Sequence, residues 1–158
     1  MPKPTAKIDI ASAPAAQGTR YPAPHDAPCK ARSWRRLGDA AGLTQFGVSL
    51  FLLPPGTWSS QRHWHMLEDE FVYVLEGELV LVTDAGEDTL RAGECAGFPA
   101  GVKDGHCLQN RGASDAVLLV VGSRNDEDHG EYSDIDMKFG KGRYSGRGGY
   151  FHKDGTPY

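Results

Sequence analysis

The chain has 158 residues, enough for one domain with a real core and not comfortably enough for two. Its formal charge of -4 argues against non-specific nucleic-acid binding, which needs a basic field. Its 20 Gly and 10 Pro favour many short strands and turns over long helices. A local basic cluster, Lys30, Arg32, Arg35 and Arg36, reads as solvated surface. Cys29, Cys95 and Cys107 make an odd count without CxxC spacing, which fits reduced thiols better than a disulfide framework. The N-terminal stretch lacks the unbroken apolar core of a signal peptide, and no apolar run is long enough to span a bilayer. The expectation is a cytoplasmic protein with neither nucleic-acid nor membrane partners.

In chain order, residues 1–45 read as an Ala/Pro-rich arm and a lead-in with a turn at 38–42. A strand is predicted over 46–53, halted by Pro54-Pro55-Gly56, with a second extended piece over 57–65. Strands at 71–75 and 78–83 flank Glu76-Gly77, the signature of a hairpin or tight bend. A turn at 84–87, a short strand at 88–91 and another turn at 92–94 follow. Extended pieces at 95–99 and 106–110 precede the last strong strand, 116–121. That strand is apolar on both faces, so it is either central in a sandwich or covered by a partner. This rhythm predicts an all-β sandwich or small barrel over 46–122. Residues 123–158 form an irregular tail expected to pack Tyr144, Tyr150 and Phe151 on its own subunit or a neighbour. The Gly140-x-Gly142-x-x-x-Gly146 spacing lacks the strand and helix that would make it a nucleotide loop, and Arg147-Gly148-Gly149 is a single copy.

On a strand, residues two apart share a face, so His63 and His65 would aim at one point. Glu70, opening the next apolar run, would bring an oxygen there. Two imidazoles and a carboxylate suit a borderline divalent metal such as Zn, Fe, Mn or Ni. The segment reads Gly56-x6-His63-x-His65-x4-Glu70-x6-Gly77, and further on stands Gly93-x5-Pro99-Ala-Gly101-x4-His106-x3-Asn110. Together these resemble the two sequence motifs of the cupin superfamily, and in particular its small bacterial single-domain members, often loosely labelled sugar-phosphate isomerases. The resemblance implies a cupin β-sandwich barrel (a double-stranded β-helix, or jelly roll). It also implies one divalent metal held by His63, His65, Glu70 and His106, with Gly77, Pro99 and Gly101 serving the bends. The chain departs from the pattern in having four residues between Gly101 and His106, so that loop must bulge for the imidazole to arrive. Glu68 and Asp69 compete with Glu70 for the carboxylate role. The interval to Gly77 favours Glu70, and its neighbours are expected to be solvated.

Parity assigns Ser59 and Gln61 to the face of the two histidines, and turns Arg62 and Trp64 away. Val72 and Val74 share the side of Glu70, and Leu108 and Asn110 that of His106. Phe98 is expected to seal the barrel, and Cys107 to pack away from the site. Candidate acids or bases are Tyr73, Asp104 and His152, the last reaching a neighbouring site. The functional expectation is a metal-dependent isomerase, lyase or dioxygenase acting on a small polar sugar- or carboxylate-like substrate. The alternative is a metal- and ligand-binding module without turnover. A homodimer, with the arm or tail crossing over, would bury the apolar surface that one small barrel leaves open.

Overall fold

The computed structural model describes residues 6–158; the first five residues of the predicted arm lie outside the described residues. Among the described residues twelve strands occur in chain order: β1 (Ala15–Gln17), β2 (Ser33–Arg36), β3 (Phe46–Leu53), β4 (Glu70–Glu76), β5 (Glu78–Thr83), β6 (Gly86–Arg91), β7 (Cys95–Phe98), β8 (Cys107–Gln109), β9 (Ala116–Ser123), β10 (Gly130–Glu131), β11 (Lys138–Phe139) and β12 (Tyr150–Phe151). One four-residue helix, α1 (Leu37–Ala40), is the only α-helix among the described residues. No helix among them is long and apolar enough to cross a membrane.

The strands form an antiparallel sheet in the order β1-β2-β3-β9-β4-β7, a facing sheet β6-β5-β8, and a small tail sheet β10-β11-β12. Alternation along each strand builds the core between the two larger sheets. Val72 and Val74 are fully buried, whereas Phe71 and Leu75 are 40% and 43% exposed. Leu53, Val72, Val74, Ala116 and Leu118 meet Leu79, Leu81 and Leu108 from the opposite sheet. β9, the doubly apolar strand, lies centrally between β3 and β4.

Three local expectations are refined. Glu76-Gly77 is not a hairpin: β4 and β5 belong to different sheets, and Gly77 turns the corner between them. Gly77 has φ +80°, and a Cβ there would meet the Asp115 carbonyl oxygen at 2.8 Å, so both backbone and space demand glycine. β6 begins at Gly86, which pairs with Thr83 and tightens the preceding turn to Asp84-Ala85. Residues 57–65 do not form a continuous strand; they make isolated bridges, Trp58 with Gln109 and His63 with both His106 and Tyr132.

The predicted arm continues the large sheet, with β1 pairing β2 and β2 pairing β3. The tail folds back on its own chain. Its Tyr132 and Met137 close a second apolar cluster with Tyr21 and Cys29, against which Phe139 and Tyr150 pack.

Candidate metal centre

His63 and His106 are joined through their backbones: His106 N donates to His63 O at 2.9 Å, and His63 N to His106 O at 3.2 Å. The enlarged loop before His106 therefore does deliver the imidazole. Arg62 helps hold it, its guanidinium donating to Gly105 O at 3.1 Å while also binding Asp84 and Asp134. On its other side the His63–Met66 segment is bracketed by the tail, with Trp64 N donating to Glu131 O at 3.3 Å and Met66 N to His129 O at 2.9 Å. Gly101 N donates to His65 O at 2.9 Å, tying the turn before His106 to the histidine pair. The two motifs and the tail thus hold one another.

The four ligands implied by the motifs converge. The Nε2 atoms of His106, His63 and His65 lie 2.9, 3.6 and 3.7 Å from Glu70 Oε2. His63 Nδ1 is 2.9 Å from the Gln61 carbonyl oxygen, and His65 Nδ1 is 2.6 Å from Asp128 Oδ2. A carbonyl and an ionised carboxylate can only accept, so both Nδ1 atoms carry the proton. The Nε2 lone pairs of His63 and His65 consequently point at a carboxylate oxygen, an arrangement that repels unless a cation stands between them. His106, only 3% exposed, donates Nε2–H to Glu70, which leaves its buried Nδ1 with no partner among the described residues. This donor set fits a divalent metal.

Protonation states agree. Burial pushes His63 down to about 4, outweighing its contact with Glu70. Burial alone would raise the Glu70 carboxyl, but the hydrogen bond from His106 Nε2–H holds it well below the usual carboxylate range. At neutral pH the site thus offers a neutral imidazole and an anionic oxygen, the forms a metal takes.

Beside the centre lies a cavity of about 150 Å³ lined by Trp64, His65, Gly97, Phe98, Pro99, Val102, Asp104 and His106. Phe98 stacks flat on His106, with ring centroids 3.5 Å apart. Asp104 is a carboxylate of the wall, and its Oδ1 accepts Asp84 N at 2.7 Å. The expectation that Trp64 points away is corrected: it lines the cavity with His65, because this bridged segment does not keep strict strand parity. Glu68, expected to be solvated, is 4% exposed and accepts from Tyr144 Oη at 2.7 Å and Asn125 N at 2.8 Å. Asp69 is exposed and accepts Ala100 N.

Of the other predicted pocket residues, only Phe98 lines this cavity. The Ser59 hydroxyl accepts Leu108 N, and Gln61 Nε2 donates to His25 O, so both are spent on framework bonds. Val72, Val74 and Leu108 belong to the sandwich core. The Asn110 amide donates to Leu53 O and Ser114 O, which pins the loop before β9. Tyr73 alternates with Val72 and Val74 and so lies on the outer face of the large sheet. His152 pairs with Asp136 at 2.9 Å and stacks on Tyr158 within the tail, away from the centre. Cys107 is buried, and burial pushes its thiol up to about 11, which removes it as a nucleophile.

Sequence reasoning missed Asp128, Tyr132 and Phe139. The rings of Tyr132 and Phe139 lie 5.8 Å from His63 and 5.1 Å from His65. Asp128 sits in a polar stretch after the last strong strand, with no periodicity or spacing to separate it from solvated neighbours.

Comparison with known proteins places this architecture. The family described as "Cupin domain" matches residues 49–122. Among curated proteins, none matches the chain. A solved sugar phosphate isomerase from a cupin superfamily, from Silicibacter pomeroyi, is 47% identical with a TM-score of 0.91, the match covering 96% of each chain. A candidate sugar phosphate isomerase from Acidithiobacillus ferrooxidans is 30% identical with a TM-score of 0.73, covering 81% of this chain and 80% of that one. A polyketide cyclase from Streptomyces resistomycificus is 25% identical with a TM-score of 0.60, covering 75% of this chain and 79% of that one. With its two motifs, its paired antiparallel sheets and this likeness over nearly the whole length, the chain belongs to the cupin superfamily.

Proposed function

We propose that this protein is a divalent-metal-dependent enzyme of the isomerase or lyase kind, acting on a small hydroxy-carbonyl or carboxylate compound. The observation that carries the reading is the pair of His63 and His65 lone pairs aimed at Glu70 Oε2 beside a cavity whose wall bears Asp104. His63, His65, Glu70 and His106 would hold the metal. When bound, it would supply a Lewis acid that polarises a substrate carbonyl or stabilises an oxyanion. Asp104 would take a proton from the substrate and return it, while Trp64, Phe98, Pro99 and Val102 exclude water from the reacting end. A cavity lined by apolar side chains alone would have favoured a binder; a carboxylate in the wall favours turnover.

The likeness to the Silicibacter pomeroyi isomerase supports a sugar-derived substrate. The cavity narrows the choice. At about 150 Å³ it is smaller than the roughly 300–1,000 Å³ of sites that enclose drug-sized ligands. Its lining holds no Lys or Arg, so the carbonyl end of a phosphorylated sugar would enter and the phosphate would stay outside. Cys29, Cys95 and Cys107 are free thiols, which supports a reducing, cytoplasmic setting.

The test is metal analysis of untagged protein purified without added metal, followed by NMR screening of small aldoses, ketoses and hydroxy acids. One ion per chain and turnover abolished by chelation are expected. Sub-stoichiometric metal, or metal content unchanged in His65→Ala, would sink the site. A full complement of Fe would redirect the chemistry to oxygenation, and a filled site without turnover would leave the binding module.

A further inference from the structure

Three imidazoles face the centre, and their far ring nitrogens are held differently. His63 Nδ1 meets a neutral carbonyl, and His106 Nδ1 has no partner among the described residues. Only His65 meets a charge: Asp128 Oδ2 at 2.6 Å. The second oxygen of Asp128 accepts Leu67 N at 2.8 Å, so one carboxylate grips the segment of the histidine pair at two points. Asp128 is 2% exposed, which removes the water that would otherwise weaken this contact. Glu68 stands behind it, its Oε2 3.7 Å from the same His65 nitrogen and 3.5 Å from the Arg143 guanidinium.

We infer that Asp128 is the positioning residue of the centre, fixing the tautomer and direction of His65 and making it the strongest of the three nitrogen donors. The inference rests on the metal-centre reading proposed above. A carboxylate on the far nitrogen raises the basicity of the coordinating one and locks the ring, and its loss elsewhere costs roughly 10–100-fold in metal affinity. Asp128 lies beyond the 49–122 span of the cupin domain, so the tail supplies a working part of the barrel. It follows that metal occupancy and docking of this segment stabilise each other.

His65, Glu68 and Asp128 also bring ligand atoms within 4.8 Å of one another, the geometry of a second ion. Asp128 Oδ2 is already held by His65 Nδ1 and Glu68 Oε2 faces the Arg143 guanidinium, while their other oxygens accept from Leu67 N, Asn125 N and Tyr144 Oη, which assigns both carboxylates to outer support.

The experiment is competition of Zn(II) between a chromophoric chelator and the full chain, in wild type, Asp128→Ala, Asp128→Asn and Asp128→Glu. Asp128→Ala is expected to bind one ion about 10–100-fold more weakly. Asp128→Asn, which keeps an acceptor without the charge, is expected to fall between, and Asp128→Glu to recover part of the loss. Long-range ¹H–¹⁵N spectra of the metal-free chain should show His65 protonated at Nδ1 in wild type and Asp128→Asn. That preference should weaken in Asp128→Ala. Affinity within twofold of wild type in both Ala and Asn variants would overturn the inference, as would an Nε2-protonated His65 in the metal-free wild type. Two ions per wild-type chain, with one lost in Asp128→Ala, would overturn it in favour of a second site. If Asp128→Ala fails to fold, the near-isosteric Asn variant decides by the same affinity and tautomer criteria. A wild type that takes up no Zn(II) would defeat the metal-centre reading instead, while the tautomer of His65 would still decide the orienting role.

Discussion

His106 N donates to His63 O at 2.9 Å and His63 N donates to His106 O at 3.2 Å, so the two motifs are fastened at the residues whose imidazoles converge. Backbone pairing sets both ring origins before any metal is present. The bridge survives side-chain truncation, so His63→Ala and His106→Ala are expected to fold. Each should lose more metal affinity than the roughly 10–100-fold that outer support contributes. Metal content after purification checks this; full occupancy in either variant would contradict it.

Acid should destabilise the metal-free protein in two stages. His63 has a folded-state value near 4 against an ordinary 6.5, so below pH 6.5 the unfolded chain takes up a proton that the folded chain refuses. Stability therefore falls as pH drops from 6.5 towards 4, by up to roughly 3 kcal/mol. Glu70, held below its ordinary range, adds stability above 4.5 that is lost as pH falls through its lowered value. Urea titrations at pH 7 and pH 4.5 measure the first stage. His63→Asn should flatten it; an unchanged slope would show that another group titrates.

Asp104→Asn keeps the volume of the cavity wall and removes the one carboxylate that lines it among the described residues. If Asp104 moves the proton, kcat should fall about 10²–10⁴-fold with metal content unchanged. A variant with wild-type kcat on the substrate found by screening would reassign the acid or base.

Gly130 lies between His129 and Glu131, whose carbonyl oxygens accept from Met66 N and Trp64 N of the histidine segment. A Cβ there would collide with the Trp64 carbonyl oxygen and stand 2.6 Å from the Phe139 ring. Gly130→Ala is expected to cost about 1–3 kcal/mol by overpacking and to weaken metal binding along with it. Thermal melts with and without Zn(II) check both effects, and an unchanged melting temperature would mean that the tail is looser than this contact implies.

The outer face of the large sheet carries apolar cross-strand rows, Leu52 with Val117, Leu50 with Leu119 and Tyr73, and Val48 with Val121 and Phe71, flanked by Arg35 and Glu76. We propose that a second copy covers it, because an apolar patch is self-complementary under a two-fold axis. Sedimentation velocity should give a dimer for wild type and a monomer for Leu119→Glu. A monomeric wild type at micromolar concentration would refute the proposal.

Period-two alternation and turn glycines carry the fold, since a strand buries one face whatever its neighbours are and a left-handed corner accepts little besides glycine. The β3, β4, β5 and β9 runs and the Gly77 bend were therefore legible, although the corner between sheets at Gly77 looks like a hairpin in one dimension. The histidine and glutamate spacing was legible for the same reason: ligand spacing is a local property of extended backbone. Parity misled around Trp64, because a segment held by isolated bridges is not obliged to alternate. It also misled at Val72 and Val74, whose shared face with Glu70 leads into a filled core.

Burial of a charge is decided by what arrives from far along the chain. Glu68 looks like any solvated acid until Tyr144 and Asn125 close on it, and Asp128 looks like its neighbours until it meets His65. The residue types and intervals name a metal and four candidate ligands, because those depend on chemistry and local geometry. Which histidine is backed by a charge, and which side chains wall the cavity, depends on contacts between segments remote in sequence. Those contacts exist only once the sheets have stacked and the tail has folded back.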